Sequence, residues 1–344
     1  MERKLASIQK VLDVQPIPNA DAIEVLTILG WKVVAKKGEF KVGDLVVYFE
    51  VDSILKESPE VEFLRKSNFR IKTIKLRGQV SQGLCLPLSI LPPMDDTLSQ
   101  AGISTTMYDE GDDITELLGV EKYEVYVPAQ LAGERKGNFP DWLSKTDEMR
   151  IQAVPELLYK HQNKPFYVTE KVDGSSMTAY IKDGEFGVCS RNFDMKETET
   201  NSFWKVARSI DLENKMRSLK RNFAFQGELL GPGVQGNKLK LSKLDFYIFN
   251  ATDINTGLHF NYDELRKYTE FLSLTNVPLV DTNYILPATV DELVEYSKGC
   301  SSLNSDVHRE GVVFRPLVNE YSEELRGRLS FKCINPDFLL KYNE

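Results

Sequence analysis

The sequence predicts an α+β chain in two parts: a small β-barrel, then a larger domain of antiparallel sheets with flanking helices. Three observations carry this. Residues 1 to about 120 are short β-branched and aromatic runs cut by turn residues, with almost no helical periodicity. From about residue 150, alternating runs are joined by the hairpin signal Lys182-Asp183-Gly184-Glu185. Helical patterns intervene near 201–221, 261–273 and 290–298.

In the first part, Val33–Ala35, Leu45–Phe49 and Ile71–Leu76 are the strand candidates. Pro16, Pro18-Asn19, Lys37-Gly38 and Gly43-Asp44 separate them. The runs Val14–Ile23 and Val34–Asp44 resemble OB-fold domains of the kind appended to tRNA-handling proteins, and a five-stranded OB-fold is a common nucleic-acid-binding barrel. Between Leu64 and Gln79 stand Arg65, Lys66, Arg70, Lys72, Lys75 and Arg77, with no acid among them. Such a stripe suits a phosphate backbone, or equally a solvated strand edge that blocks aggregation.

The expected boundaries are an OB-fold domain at 1–120, a connecting region at 121–149 and a second domain at 150–344. Val127-Pro128 and Gly137-Asn138-Phe139-Pro140 are the breakers in the connection. Strands are expected at Phe166–Val168, Thr178–Ile181, Phe223–Phe225, Phe246–Phe249, Val312–Phe314 and Ser330–Lys332.

Composition excludes several classes. With 42% hydrophobic residues the 344-residue chain can build cores. It has no apolar window of about 18 residues, so no membrane span is expected. The charged start Met1-Glu2-Arg3-Lys4 leads into no apolar segment, which argues against secretion. Cys85, Cys189, Cys300 and Cys333 show no paired spacing, so neither disulfides nor zinc are indicated. A reducing intracellular compartment, cytoplasmic or nucleoplasmic, is the expectation. His161, His259 and His308 are too dispersed for a histidine metal centre, so a divalent metal would meet carboxylates and water, as Mg²⁺ or Mn²⁺ do. The net charge of −8 makes local charge, not the total, the guide to nucleic-acid contact.

Lys171-Val172-Asp173-Gly174 is the most chemically suggestive stretch: a lysine two residues before a carboxylate at a turn-favouring Asp-Gly pair. Further segments follow in order. Ser190-Arg191-Asn192 supplies a cation and an amide, Gly227-Glu228 a carboxylate, and Phe246–Phe249 an aromatic face. Glu310–Arg315 begins with a second carboxylate, and Ser330-Phe331-Lys332 ends in a second lysine. Singly, each has an ordinary alternative: a solvated arginine, a core phenylalanine, exposed strand-end acids, a snorkelling lysine. Together they resemble motifs I, Ia, III, IIIa, IV and V of the covalent nucleotidyltransferase superfamily, which includes ATP- and NAD-dependent ligases and mRNA capping enzymes. Gly231-Pro232-Gly233 lacks the Gly-Lys-Ser/Thr ending of a P-loop and reads as a turn.

Three features narrow the resemblance. Position 176 is Ser, where DNA ligases and capping enzymes have Arg. No OB pattern follows Lys332. The OB-like segment instead precedes Lys171. That order, with Lys171–Thr178, Gly227-Glu228 and Val234–Asn237, is similar to the fifth family of ATP-dependent RNA ligases, and Ser144–Arg150 extends the match.

The resemblance implies lysyl-AMP formation on Lys171 and sealing of RNA 3′-OH/5′-phosphate ends in nicked duplexes. ATP would be the AMP donor, with Mg²⁺ or Mn²⁺ held by Asp173, Glu228 and Glu310. Arg150 would orient the ATP tail and Glu170 help read the purine. Arg191, with its neighbour Asn192, would hold ribose, and Phe249 would stack on adenine. Two departures stand out. Motif V reads Ser330-Phe331-Lys332 instead of Lys-x-Lys, with Arg328 expected to supply the missing charge. Asn250 stands where aspartate is common. Lys332, Arg328 and the metal are expected to favour a neutral, nucleophilic Lys171. No membrane and no obligate protein partner are indicated. The competing readings are an OB-based RNA-binding protein with an inactive second domain, and a capping guanylyltransferase.

Overall fold

The structure is a computed structural model that describes residues 3–92, 108–123 and 133–344. Val127 and Pro128 of the expected linker lie outside the described residues. The chain forms two compact units. The first comprises Met1–Val125 with Ile151–Pro155 and Leu339–Glu344. The second comprises Tyr126–Arg150 and Glu156–Phe338.

The first unit is built on β1 (Ala6–Pro16), β2 (Ile23–Ile28), β3 (Trp31–Lys36), β4 (Leu45–Phe49), the hairpin β5–β6 (Ile74–Leu76, Gln79–Ser81) and β7 (Leu84–Pro87). Five of these form an antiparallel sheet ordered β3-β2-β1-β4-β7. Strand β1 serves two neighbours. Its Ala6–Lys10 half pairs with β4 and its Val11–Pro16 half with β2, with a register shift between Val11 and Asp13. A bulge of this kind bends a strand and lets a short sheet curl. Ile8, Leu26, Ile28, Trp31, Val33 and Val46 fill the core it encloses.

Strand β1 is missing from the sequence reading, because the shift breaks the period-two alternation that marks a strand. Conversely, Ile71–Thr73 is β-branched yet not strand. Ile71 is buried and pinned by backbone bonds to Asp52 and Ser53, and the strand begins only at Ile74.

The second unit contains β8 (Arg135–Asn138), β9 (Met149–Arg150), β10 (Pro165–Lys171), β11 (Ser175–Lys182), β12 (Glu185–Cys189) and β13 (Phe193–Met195). It continues with β14 (Phe223–Leu230), β15 (Asp245–Asp253), β16 (Leu279–Ile285), β17 (Gly311–Pro316) and β18 (Phe331–Ile334). A six-stranded sheet runs β8-β13-β12-β11-β14-β15, and a five-stranded sheet runs β9-β18-β17-β10-β16. Pairing is antiparallel except between β9 and β18. The Asp183-Gly184 turn takes positive φ at both residues (51° and 81°), as a tight type I′ hairpin requires.

Helices form at Ser202–Ser209, Leu212–Ser218, Tyr262–Phe271 and Val290–Ser297, where helical spacing predicts them. Phe223, Phe225, Phe246, Trp204 and Met216 belong to one large core of this unit. All four cysteines are free. Among the described residues no helix is long and apolar enough to cross a membrane.

Candidate active site

Four strands of the second unit end around Lys171. Lys171 closes β10 opposite Gly311 of β17, which places Glu310 beside it. Its Nζ donates to Glu310 Oε1 at 2.6 Å. Glu228 on β14 pairs with Ser176 on β11. Asp173, in the link from β10 to β11, forms an ion pair with Lys238 at 2.9 Å.

The Asp173-Gly174 pair is not the left-handed turn that its composition suggests, since Gly174 has no positive φ. Glycine is needed there for space. A Cβ would stand 2.4 Å from the Leu229 carbonyl oxygen and 2.9 Å from Glu228 Cγ. Gly311 is equally confined, with a Cβ 2.3 Å from the Cys333 carbonyl oxygen. Both glycines let the carboxylate-bearing strands close on Lys171.

The electrostatics depart from the expected neutral lysine. Burial works against charge on Lys171, but Glu310, then Glu228 and Asp173, outweigh it and hold the amine above its ordinary value. The carboxylates respond in kind. Burial, opposed by Lys171 and reinforced by Glu310 and Asp173, pushes Glu228 up to about 8. Burial and Glu310 raise Asp173 to about 6, against the pull of Lys238. Lys332 moves the other way: burial, then Lys171 and Arg150, lower it to about 8. Of the expected cations Lys332 does act on this site, but Glu310, Glu228 and Asp173 decide the charge of Lys171.

Arg328 does not reach Lys171. It donates to Asn250 Oδ1 at 2.8 Å, and burial followed by Arg315 lowers it to about 10. Asn250 is buried and gives its amide to Gln226 Oε1 at 2.7 Å, a donation that an ionised aspartate could not make. Arg150 pairs in register with Lys332 through β9 and β18.

Arg191 donates twice to Asp147 at 2.8 Å, and both side chains are about half exposed. Asn192 accepts from Lys145 at 2.9 Å. Arg191 nevertheless lines a polar pocket with Phe139, Lys145, Thr146, Ser176, Thr178 and Gln226. Glu170 is buried, accepts from the Ser302 backbone at 2.8 Å and keeps Oε1 without a partner. Burial raises its pKa despite the hydrogen bonds from Ser301 and Ser302. Phe249 is half-buried against a cluster containing Val172, Leu230 and Val277.

Residue-type reasoning left Arg315 and Glu148 without roles. Arg315, 2% exposed, binds Glu148 at 2.5 Å, Ser330 Oγ at 3.0 Å and the Phe249 carbonyl at 3.1 Å. One guanidinium therefore fixes the backbone of Phe249, the strand that carries Arg150 and the approach to Lys332. The signal was an arginine on the otherwise apolar run Val312-Val313-Phe314, since a buried cation implies a buried partner.

Among the described residues no three His, Cys, Asp or Glu side chains form a set close enough to ligate a metal directly. Glu310 Oε2 is buried without a hydrogen-bond partner, and Asp173 and Glu228 carry repelling charge beside it. That donor set fits a hydrated divalent cation.

No curated protein sequence matches the chain. An OB-fold domain family matches residues 5–88, and the RNA ligase family matches residues 164–334. Among solved structures, an apo mutant of the Naegleria gruberi RNA ligase is 38% identical with a TM-score of 0.86, covering 99% of this chain and 98% of that one. The same Naegleria gruberi RNA ligase with PPi is 38% identical with a TM-score of 0.86 and 99% of each chain covered. A mutant of it with ATP and Mn is 37% identical with a TM-score of 0.85 and 98% of each chain covered. With this coverage and identity the chain belongs to the RNA ligase family, and its first unit is the OB-fold domain of such an enzyme.

Proposed function

We propose that the protein seals 3′-OH/5′-phosphate nicks in duplex RNA, using ATP, through a covalent AMP on Lys171. The observation that carries this reading is the Lys171–Glu310 ion pair, flanked by Asp173 and Glu228 and faced by Lys332. The related Naegleria gruberi enzyme has been solved with ATP and Mn and with AMP and Mn, which supports the same nucleotide and a divalent cation here.

Lys171 is the nucleophile. Its Nζ attacks the α-phosphorus of ATP, the N–P bond forms, and the bond to pyrophosphate breaks. For that the amine must leave Glu310 and pass its proton to solvent water. Glu310, Asp173 and Glu228 would hold Mg²⁺ or Mn²⁺. When bound, the cation offsets the carboxylate field that keeps Lys171 protonated and the negative charge growing on phosphate oxygens. Lys332 and Arg150 add positive charge from the other side and orient the phosphates.

Phe249 offers a ring face to adenine, Glu170 with its unpartnered Oε1 meets the purine edge, and Arg191 with Asn192 bounds the ribose side. The RNA 5′-phosphate then attacks the AMP phosphorus and frees Lys171. The 3′-OH attacks the activated 5′-phosphate, forming the phosphodiester and releasing AMP.

Incubation with labelled ATP and Mn²⁺ followed by denaturation tests this. A label stable to alkali and lost in acid is expected. Absence of label in the wild type, or equal labelling of Lys171→Ala, overturns the mechanism.

A further inference from the structure

The basic stripe between Leu64 and Gln79 is not one surface. Arg65 is held by Glu57 and Glu62. Arg70 is bound to Asp52 at 2.7 Å and stacked on Tyr123 at 3.6 Å from the ring centre. These two cations are neutralised within the fold. Lys72, Lys75 and Arg77 have no ion pair or side-chain hydrogen bond among the described residues. All three belong to, or lead into, the hairpin β5–β6.

That hairpin is unusual in two ways. Ile74 is 46% exposed and Leu76 39%, both on one face of a strand whose three residues are all exposed among the described residues. Its two-residue turn is Arg77-Gly78, with φ of 50° and 88°. Such a turn needs left-handed backbone at both positions and favours Asn or Asp before Gly. The Asp183-Gly184 hairpin of the same chain follows that preference. Arginine at the first position carries backbone strain that Asn or Asp would bear more easily. The turn gains nothing from this side chain, and no group among the described residues receives its guanidinium. Its placement at the tip therefore serves something outside the fold.

We infer that the β5–β6 hairpin is a finger that docks on the shallow minor groove of duplex RNA, with Ile74 and Leu76 against the sugar edges, Arg77 and Lys72 on phosphates beside them, and the long side chain of Lys75 reaching round from the opposite face of the strand to a flanking phosphate. Charge selects the occupant: three unpaired cations and no acid from Leu64 to Gln79 suit a polyanion. The apolar pair selects the groove, since the minor groove of A-form RNA is wide, shallow and lined by sugars that a two-stranded ribbon can rest on. The inference rests on the nicked-duplex reading above and names the surface that would grip that duplex.

Arg77→Asn is the decisive variant, because Asn suits the left-handed position and keeps the hairpin while removing the charge. Binding to a nicked RNA duplex is measured across a salt series for the wild type, Arg77→Asn, Lys75→Gln and Ile74→Ser. Arg77→Asn should melt at or above the wild-type temperature. Each charge variant should lower the slope of log affinity against log salt by about one. Ile74→Ser should weaken binding several-fold with the slope unchanged. If Arg77→Asn and Lys75→Gln bind with wild-type affinity and slope, the finger is wrong while the ligase reading stands. If the wild type does not bind the duplex at all, both fall.

Discussion

Lys171 and Lys332 lie on the two strands that flank β17 in one sheet, and they are driven in opposite directions. Lys171 lies among three acids and is held protonated above its ordinary value. Lys332 lies against Lys171 and Arg150 and is pushed down to about 8, with burial as the largest cause. The same residue type is thus a locked ammonium at one end and a nearly titrating amine at the other. Lys171 rests as an ion pair with Glu310, and the acids around it are those suited to a divalent cation. A divalent cation at these acids would remove the field that holds the proton.

Breaking the cationic half should have the largest effect. Lys332→Met is expected to lower labelling of Lys171 by about 10²–10³-fold, the scale for removing one preorganised charge facing a reacting phosphate. Lys332→Arg should recover part of it. Equal labelling of Lys332→Met and wild type would remove Lys332 from the chemistry.

Breaking the acidic half should separate activity from stability. Glu228→Gln should lose labelling by at least ten-fold yet melt higher than the wild type at pH 8, on the order of 2–4 °C, because a repelling buried charge is gone. A lower melting temperature would show that Glu228 stabilises the empty site.

Glu228 and Lys332 should also give stability opposite pH dependences. Glu228 holds its proton more tightly folded than unfolded, about 8 against 4.5. Its contribution is complete below about pH 4.5 and is lost as pH rises through about 8. Lys332 is the reverse, about 8 against 10.5. Its contribution is present above about pH 10.5 and lost as pH falls through about 8. The stability supplied by the site should therefore be lowest near pH 8. Glu228→Gln should flatten the falling limb and Lys332→Met the rising one, as read by thermal melts from pH 5 to 10.

The smallest effect should come from the metal alone. Millimolar Mn²⁺ should raise the wild-type melting temperature by a few degrees at pH 8, and by less in Glu310→Gln. An equal rise in both would place the cation elsewhere.

Much of this site was legible along the chain. Lys171, Asp173, Glu228, Glu310 and Lys332 are polar residues at strand ends, and their order alone points to nucleotidyl transfer. The helices and the Asp183-Gly184 hairpin were equally plain, because their signals are local: 3.6-residue spacing and an Asp-Gly pair. Strand β1 was not, since a bulge erases its alternation. Arg315 and Glu148 were not, since they acquire meaning only as a pair separated by most of the second unit.

Residue types, short-range periodicity and order along the chain were enough for the fold class, for a set of candidate site residues and for the family they resemble. How those candidates are charged, and which cations of the basic stripe stay unpaired among the described residues, was settled only by the tertiary structure. It turned an expected neutral Lys171 into a protonated one, because three acids distant in sequence converge on it while burial weakens the screening between them. It sent Arg328 to Asn250, and it divided a basic stripe into paired arginines and an unpaired hairpin tip. Charge state depends on neighbours in space, which residue order does not specify.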